Sequence, residues 1–238
     1  MVPGINEPFC VDRDVSRLLF DLSILLSCMK KTDNLNVLDF AGGSGWVSEY
    51  LNRAGYSVTL IDINPEILRS VRNRIQADTR LDSNRLKAVI CDGHNLQFCN
   101  DEYFGNIVCF DSLHHMSDFS LVFQEMFRVL EPGGRASFAE PGAKHAESKE
   151  TIEFIRKYKS NDSKWIERSI ILDEIYEIAS KVGFSQFRVK PFLLPSMADY
   201  SYHAWKKFAS KKRKKQKYVS KLISFNWDIR VIFYFDKI

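Results

Sequence analysis

Cysteine is scarce in this sequence, and its spacing offers no familiar framework. Five cysteines occur among 238 residues, an odd number without a C-x-x-C pair, which argues against a disulfide scaffold and against a zinc knuckle. Long apolar runs are also missing. The most apolar early stretch, 18–29, is short and contains Asp21, so we expect a helix there and neither a signal peptide nor a membrane span. Both absences favour a reducing, cytoplasmic setting.

Acidic residues are missing from the most basic part of the chain. The net charge is +4, yet Lys206–Lys221 alone contains nine Lys or Arg and no acid, so the remainder is negative. This segment could contact nucleic acid, an anionic membrane surface or an anionic substrate, or it could be a solvated face. Nucleic acid is not favoured, because the segment lacks the regular aromatic interleaving of a base-stacking platform.

The chain also lacks the third glycine of a dinucleotide-binding loop. An apolar strand runs into the small residues 41–45, but the pattern G-x-G-x-x-G would require glycine where Ser48 stands. Asp39 precedes the loop, and its charge would repel a pyrophosphate. Asp62 ends the next apolar strand, where a carboxylate can accept both hydroxyls of a ribose. These residues favour S-adenosylmethionine, which has a ribose and two cationic groups but no phosphate.

Apolar strands and helical segments alternate through much of the sequence, which implies one α/β domain with a parallel sheet and helices on both faces. The predicted strands are 37–40, 57–61, 87–91, 106–110 and 135–139, and the predicted helices are 12–30, 45–54, 65–77 and 119–130. The later part of the chain predicts helices at 147–160 and 173–182 and strands at 186–192 and 229–235.

Three further motifs follow the first loop in a fixed order. Asp92-Gly93 follows the third strand, Asp111-Ser112 follows the fourth, and Glu131-Pro132-Gly133-Gly134 precedes the fifth. With the first loop they resemble the class I S-adenosylmethionine-dependent methyltransferases of the methyltransferase type 11 kind. Ala41 departs from that family's D-x-G-x-G-x-G pattern, because it stands at the first glycine. The resemblance implies a Rossmann-like, seven-stranded, mostly parallel sheet whose last strand is antiparallel.

The same resemblance predicts one methyltransferase domain over residues 1–238. An N-terminal helical cap would occupy 1–35, and the cofactor-binding core would occupy 36–142. A substrate-side region would follow at 143–238, with a helical, basic insertion at 195–228 before the last strand.

The resemblance also implies which residues bind the cofactor. Asp92 would hydrogen-bond the adenine amino group, and the remainder would surround the ribose and the methionine part. The predicted cofactor-binding residues are Asp39, Ala41, Gly42, Gly43, Gly45, Trp46, Asp62, Ile63, Asp92, Gly93, Asp111 and Ser112.

Methyl transfer to a hydroxyl requires alignment of the acceptor and removal of its proton. Candidate bases follow strands four and five: His114, His115, Glu140 and His145. Histidine needs the least adjustment of its pKa to act near neutrality. We therefore predict His115 near the cofactor and His145 near the acceptor, with Glu140 as a further catalytic candidate; alternatively, either histidine caps a helix or lines the pocket. The sequence spells out no metal-ligand cluster, so no metal-binding residue is predicted, and the use of a divalent metal stays open.

The segment Glu140-Pro141-Gly142-x-x-His145 resembles a subgroup of these methyltransferases associated with bacterial polysaccharide and glycan assembly. This resemblance implies O-methylation of a sugar hydroxyl. The aromatic residues Tyr200, Tyr202, Trp205 and Phe208 could stack on sugar rings or pack the insertion onto the domain. Two alternatives remain open: a methyltransferase for another small molecule, a lipid-linked intermediate or RNA, and a non-catalytic cofactor-binding partner subunit. The oligomeric state stays open.

Overall fold

A computed structural model describes residues 15–158, 166–190 and 230–238. Its strands form one seven-stranded sheet. In chain order they are β1 Asn36–Asp39, β2 Ser57–Asp62, β3 Leu86–Ile90, β4 Phe104–Phe110, β5 Leu130–Pro141, β6 Ser185–Val189 and β7 Arg230–Asp236.

The spatial order of the strands is β3-β2-β1-β4-β5-β7-β6. Strands β1 to β5 pair in parallel, whereas β7 is antiparallel to both β5 and β6. This confirms the predicted fold class, a Rossmann-like methyltransferase sheet whose last strand is antiparallel.

Helices connect the strands, and polar caps fix where several of them begin. Asn64 Oδ1 accepts hydrogen bonds from the first-turn amides of α3, and Asp118 does the same for α4. Gly183 ends α6 with a φ of 116°, a left-handed conformation that glycine adopts without strain. The helices are α1 Val15–Cys28, α2 Trp46–Arg53, α3 Pro65–Ala77, α4 Phe119–Val129, α5 Lys149–Tyr158 and α6 Leu172–Val182.

Two apolar layers cover the two faces of the sheet, as the alternation of strands and helices predicts. Leu22 of α1, Leu51 of α2 and Val71 of α3 belong to one buried cluster. Phe123 of α4 and Ile175 of α6 belong to the other. Because successive side chains of a strand point to opposite faces, each central strand contributes to both clusters.

The fifth strand differs most from its prediction. It was expected at 135–139, after a turn at 132–134, but it already begins at Leu130. Phe104 of β4 pairs with Leu130, and Asn106 then pairs with Arg135. The predicted turn is therefore an irregularity inside a longer strand, because the pairing continues on both sides of it.

Several predictions fall on parts of the chain outside the described residues. These are Lys206–Lys221, the aromatic residues of the 195–228 insertion and the first 14 residues of the N-terminal cap. The proposed subdivision of the domain therefore stays a prediction. Within the described ranges, no helix combines the length and the apolar character that crossing a bilayer requires.

Candidate functional site

The predicted cofactor residues meet at the carboxyl edge of the sheet. Strands β1 and β4 are neighbours, and the chain leaves them toward opposite sides of the sheet, so a crevice opens beyond their carboxyl ends. The loops that follow β1 and β4 are joined there, since the Ser112 hydroxyl donates a hydrogen bond to the carbonyl of Ala41 at 2.8 Å. The Gly43 amide donates to Asp62 Oδ2 at 3.0 Å and joins the loop after β1 to the end of β2.

The loop after β1 needs small residues for two separate reasons. Ala41, Gly43 and Gly45 have positive φ angles of 52°, 51° and 78°, which most side chains disfavour. A Cβ on Gly42 would lie 2.6 Å from Asp39 Oδ2, so this glycine leaves room for the carboxylate. Ala41 thus adopts the left-handed conformation at the position where the family pattern has glycine.

Asp39 is fully buried at the base of this loop. Its Oδ2 accepts a hydrogen bond from the Ser48 hydroxyl at 2.6 Å. Its Oδ1 has no hydrogen-bond partner within the described parts of the chain. Burial raises the pKa of this carboxyl to about 6, and the hydrogen bond from Ser48 only partly opposes that effect. A buried acceptor of this kind fits a cationic ligand group.

The carboxylates after β2 and β3 are held by backbone amides. Asp62 accepts from the amide of Gly43 and, at 2.8 Å, from that of Asn64. Asp92 Oδ1 accepts from the backbone amide of His94 at 2.9 Å and contacts its ring nitrogen Nδ1 at 2.7 Å. The backbone hydrogen bond is the main reason that the pKa of Asp92 lies below its usual value. Both acids are therefore hydrogen-bond acceptors held in place at the edge of the crevice.

Three further predicted cofactor residues have different surroundings. Ile63 follows Asp62 and is 67% exposed, so its apolar side chain is available to a ligand. A Cβ on Gly93 would lie 2.3 Å from the ring of Phe40. Trp46 is buried and packs edge-on against Phe110, with 5.1 Å between the ring centres. Its side chain therefore supports the core, and its predicted contact with cofactor stays a prediction.

Asp111 lies in a charged network that the sequence did not predict. Its carboxylate is paired with the buried guanidinium of Arg230, and Arg17 lies 3.8 Å away. Burial acts to raise the pKa of Asp111, but the two guanidinium groups outweigh burial and lower it. Arg230 also pairs with the buried Asp21 at 2.9 Å. Asp111 thus already has a cationic partner, and its role toward the cofactor stays a prediction.

Glu140 organises the segment after β4 from inside the sheet. It is fully buried and accepts hydrogen bonds from the amides of Ser112 and Leu113 at 3.0 and 2.9 Å. Its Oε2 lies 2.8 Å from His114 Nδ1. This geometry favours a positioning role for Glu140 over the direct catalytic contact predicted from the sequence.

Three histidines surround Glu167, a residue that sequence reasoning missed. His145 Nε2 lies 2.8 Å from Glu167 Oε2, His114 Nε2 lies 3.5 Å from the same oxygen, and His115 Nδ1 lies 3.6 Å from Oε1. The side chain of Glu167 is largely buried, with 5% of it exposed. It belongs to no motif, since it follows α5 in a polar stretch, and only the fold brings it to the histidines.

The two adjacent histidines of the cluster differ in charge preference. Burial disfavours a charge on His114, but Glu140 outweighs burial and raises the pKa of the imidazole. The pKa of His115 is lowered, first by burial and then by the neighbouring His114. The two ring centres are 3.9 Å apart. The surroundings of His114 therefore favour the protonated imidazole, whereas those of His115 favour the neutral imidazole.

The sequence comparisons identify the core of the chain. Residues 38–138 match the family model for a methyltransferase domain. A malonyl-[acyl-carrier protein] O-methyltransferase of Buchnera aphidicola is 30% identical over 117 residues, which cover 49% of this chain and 44% of that protein. The ubiquinone/menaquinone biosynthesis C-methyltransferase UbiE of Bordetella avium is 36% identical over 104 residues, which cover 42% of this chain and 39% of that protein. The chain thus spans less than half the length of these curated relatives.

A solved methyltransferase structure has a fold similar to that of this chain. Phosphoethanolamine N-methyltransferase 2 of Haemonchus contortus, solved in complex with S-adenosyl-L-methionine, superposes with a TM-score of 0.63 at 19% sequence identity. The superposition covers 92% of this chain and 52% of that one. None of these three names refers to a glycan, so the predicted glycan-associated subgroup gains no support from them.

Proposed function

Because residues 38–138 match the family model for a methyltransferase domain, we propose that the whole chain is a class I S-adenosylmethionine-dependent methyltransferase that methylates a hydroxyl of a sugar-containing small molecule. The observation that carries this proposal is the pairing of His145 with the buried Glu167 beyond β5. A hydroxyl acceptor must lose a proton, and an imidazole held by a carboxylate is suited to accept it.

The residues of the crevice fit S-adenosylmethionine. Asp39 offers a buried acceptor to a cationic group, and Asp62 offers a carboxyl acceptor to the ribose hydroxyls. Gly43 has open space where its Cβ would lie, so the ligand can approach its backbone. When bound, S-adenosylmethionine supplies a methyl group that its sulfonium already activates. The chain itself must orient the acceptor and manage its proton.

His145 is the proposed proton acceptor among the candidates. Its Nε2–H donates to Glu167, which leaves a lone pair on Nδ1, 3.2 Å from Thr151 Oγ1. Glu167 would stabilise the imidazolium that forms when Nδ1 takes a proton. His145 is also partly exposed, with 22% of its side chain accessible. His114 is bound to Glu140 and 7% exposed, so it is the less accessible group.

A sugar acceptor is favoured by the Glu140–His145 segment, which resembles the glycan-associated subgroup. O-methylation as such also has a precedent in the name of the Buchnera aphidicola relative. The UbiE relative is named a C-methyltransferase, so the reacting atom of the acceptor is the feature that an experiment must decide.

The test combines cofactor binding with an acceptor screen. The full chain should bind S-adenosylmethionine by calorimetry and transfer a labelled methyl group to at least one sugar in a panel of sugars and sugar nucleotides. His145→Ala should lower kcat by roughly 10²- to 10⁴-fold, the usual contribution of a general base, with cofactor affinity unchanged. Glu150→Gln, an exposed change in α5, is the matched control.

Each negative result removes a different part of the proposal. Absence of cofactor binding would remove the methyltransferase activity altogether. Cofactor binding without transfer to any acceptor would support the partner-subunit alternative. Transfer of the methyl group to carbon, or only to RNA, would show that the acceptor is not a sugar hydroxyl. Undiminished turnover in His145→Ala would show that His145 is not the base.

A further inference from the structure

Three potential metal ligands come together from segments far apart in the chain. His114 and His115 lie in the 3₁₀ turn after β4, and Glu167 lies before α6. Each offers one ligand atom, and these atoms all lie within 4.8 Å of one another. We propose that His114, His115 and Glu167 form the binding site of a divalent first-row transition-metal ion.

Neighbouring acceptors orient both imidazoles. His114 Nδ1 lies 2.8 Å from the carboxylate of Glu140, and His115 Nδ1 lies 2.9 Å from the carbonyl of Ile166. Since these partners only accept hydrogen bonds, the Nδ1 atoms carry the protons. Metal-binding histidines typically have such a carboxylate or carbonyl on the second ring nitrogen.

The second ring nitrogen of His114 faces the carboxylate of the cluster. Nε2 of His114 lies 3.5 Å from Oε2 of Glu167, and both side chains are largely buried. A cation placed between these two groups would be bound by both.

The donor set selects the class of ion. Imidazole nitrogen with one carboxylate suits Zn²⁺, Co²⁺ or Fe²⁺, whereas Mg²⁺ and Ca²⁺ prefer oxygen ligands alone. Three protein ligands leave a coordination position for water or substrate, as in catalytic sites. His145 would hold the ligand Glu167 from outside, and Glu140 would hold His114 in the same way.

Such an ion would also deepen the proposed function. A hydroxyl bound at the open position would have a lower pKa, which would reduce the demand on the base. This role depends on the proposed hydroxyl acceptor, whereas binding of the ion does not.

The direct test measures metal binding without turnover. The untagged full chain is stripped with a chelator, dialysed, and titrated by calorimetry with Co²⁺, Zn²⁺ and Mg²⁺. We expect one Co²⁺ or Zn²⁺ per chain, no comparable binding of Mg²⁺, and a visible cobalt absorption spectrum typical of mixed nitrogen and oxygen ligands. Zn²⁺ should also raise the melting temperature, because a ligand that binds only the folded state stabilises it.

Variants assign the binding to these residues. His115→Ala and Glu167→Gln should each weaken Co²⁺ binding by more than tenfold, and His145→Ala should weaken it by about 10- to 100-fold, as expected for a group that supports a ligand. His94→Ala is the matched control, since His94 bonds Asp92 away from the cluster. Circular dichroism verifies that each variant folds.

The outcomes separate this site from the proposed function. Failure of the wild-type chain to bind Co²⁺ or Zn²⁺, or unchanged affinity in both ligand variants, would overturn the metal site. Metal binding without methyl transfer to hydroxyls would leave the site in place and remove only the proposed acceptor. Binding of S-adenosylmethionine to the metal-stripped chain tests separately whether the protein is a methyltransferase.

Discussion

At the scale of single residues, Asp39 is the side chain whose charge state a bound cofactor should change. Its carboxyl is fully buried and has a pKa of about 6. A nearby sulfonium or ammonium would favour the ionised form, because opposite charges at close range stabilise one another. Cofactor binding and ionisation of Asp39 should therefore be coupled.

This coupling predicts a pH dependence of affinity. Below a pH of about 6 the free protein must release a proton from Asp39 before it binds the cofactor, so affinity should fall as the pH falls through that value. Above it Asp39 is already ionised, and affinity should level off. Calorimetric titrations with S-adenosylmethionine across this range provide the measurement.

The control for that prediction is Asp39→Asn, which cannot ionise. The variant should bind more weakly near neutral pH and lose the dependence centred on a pH of about 6. The effect on folding stability without cofactor has the opposite sign. Because burial raises the pKa of Asp39, its ionised form destabilises the fold above a pH of about 6, so the variant should be more stable than the wild type there. An unchanged affinity profile in the variant would assign the dependence to another group.

At the scale of the secondary-structure elements, helix α4 shows how a local signal fixes a boundary. Asp118 Oδ1 accepts hydrogen bonds from the amides of Ser120 and Leu121 at 2.8 and 3.2 Å. These amides have no partner within the helix, so the cap satisfies groups that would otherwise need water. The first residue of the helix, Phe119, packs in the core beneath α4.

Removal of this cap should reduce stability by a modest, measurable amount. Asp118→Ala should lower the free energy of unfolding by about 1 kcal/mol, the usual value for an N-cap. Asp118→Asn should lower it much less, because asparagine caps helices about as well. Urea unfolding followed by circular dichroism measures both, and equal losses would show that the cap is not the cause.

Most elements could be predicted because their signals are local. Apolar periodicity, a proline at the start of α3 and the glycine after α6 each act within a few residues. The start of β5 could not be predicted in this way. Gly133 and Gly134 suggest a turn, but pairing of Leu130 with Phe104 on the neighbouring strand extends β5 past them.

At the scale of the whole molecule, buried charges connect the two ends of the described chain. Arg230 begins β7 and is paired with Asp21 of α1 at 2.9 Å. It also pairs with Asp111, after β4. The network thus fixes α1 and β7 beside the loop that leads to the histidine cluster. The sequence gives no sign of it, because none of these pairs is local.

Loss of one buried partner should destabilise the fold strongly. Asp21→Ala removes a fully buried acid from beside a buried guanidinium. Breaking a buried pair lowers stability by about 3–5 kcal/mol when the other charge is left unpaired, and because Asp111 remains beside Arg230, we expect a loss near the lower end of that range. Arg17→Ala removes a partner of Asp21 that is 36% exposed, so its effect should be less than about 1 kcal/mol. Urea unfolding of both variants compares them; a larger loss from Arg17→Ala would contradict this account of the network.

The sequence by itself determined the donor side of this protein. The small residues after β1, Asp39 and Asp62 restrict the cofactor, because backbone conformation, charge and ribose recognition act within each βα unit. The tertiary structure alone decided the arrangement of the proposed acceptor side. Glu167 meets the histidines only when the segment before α6 folds back onto the end of β4. Long-range packing sets that arrangement, and no local sequence pattern indicates it.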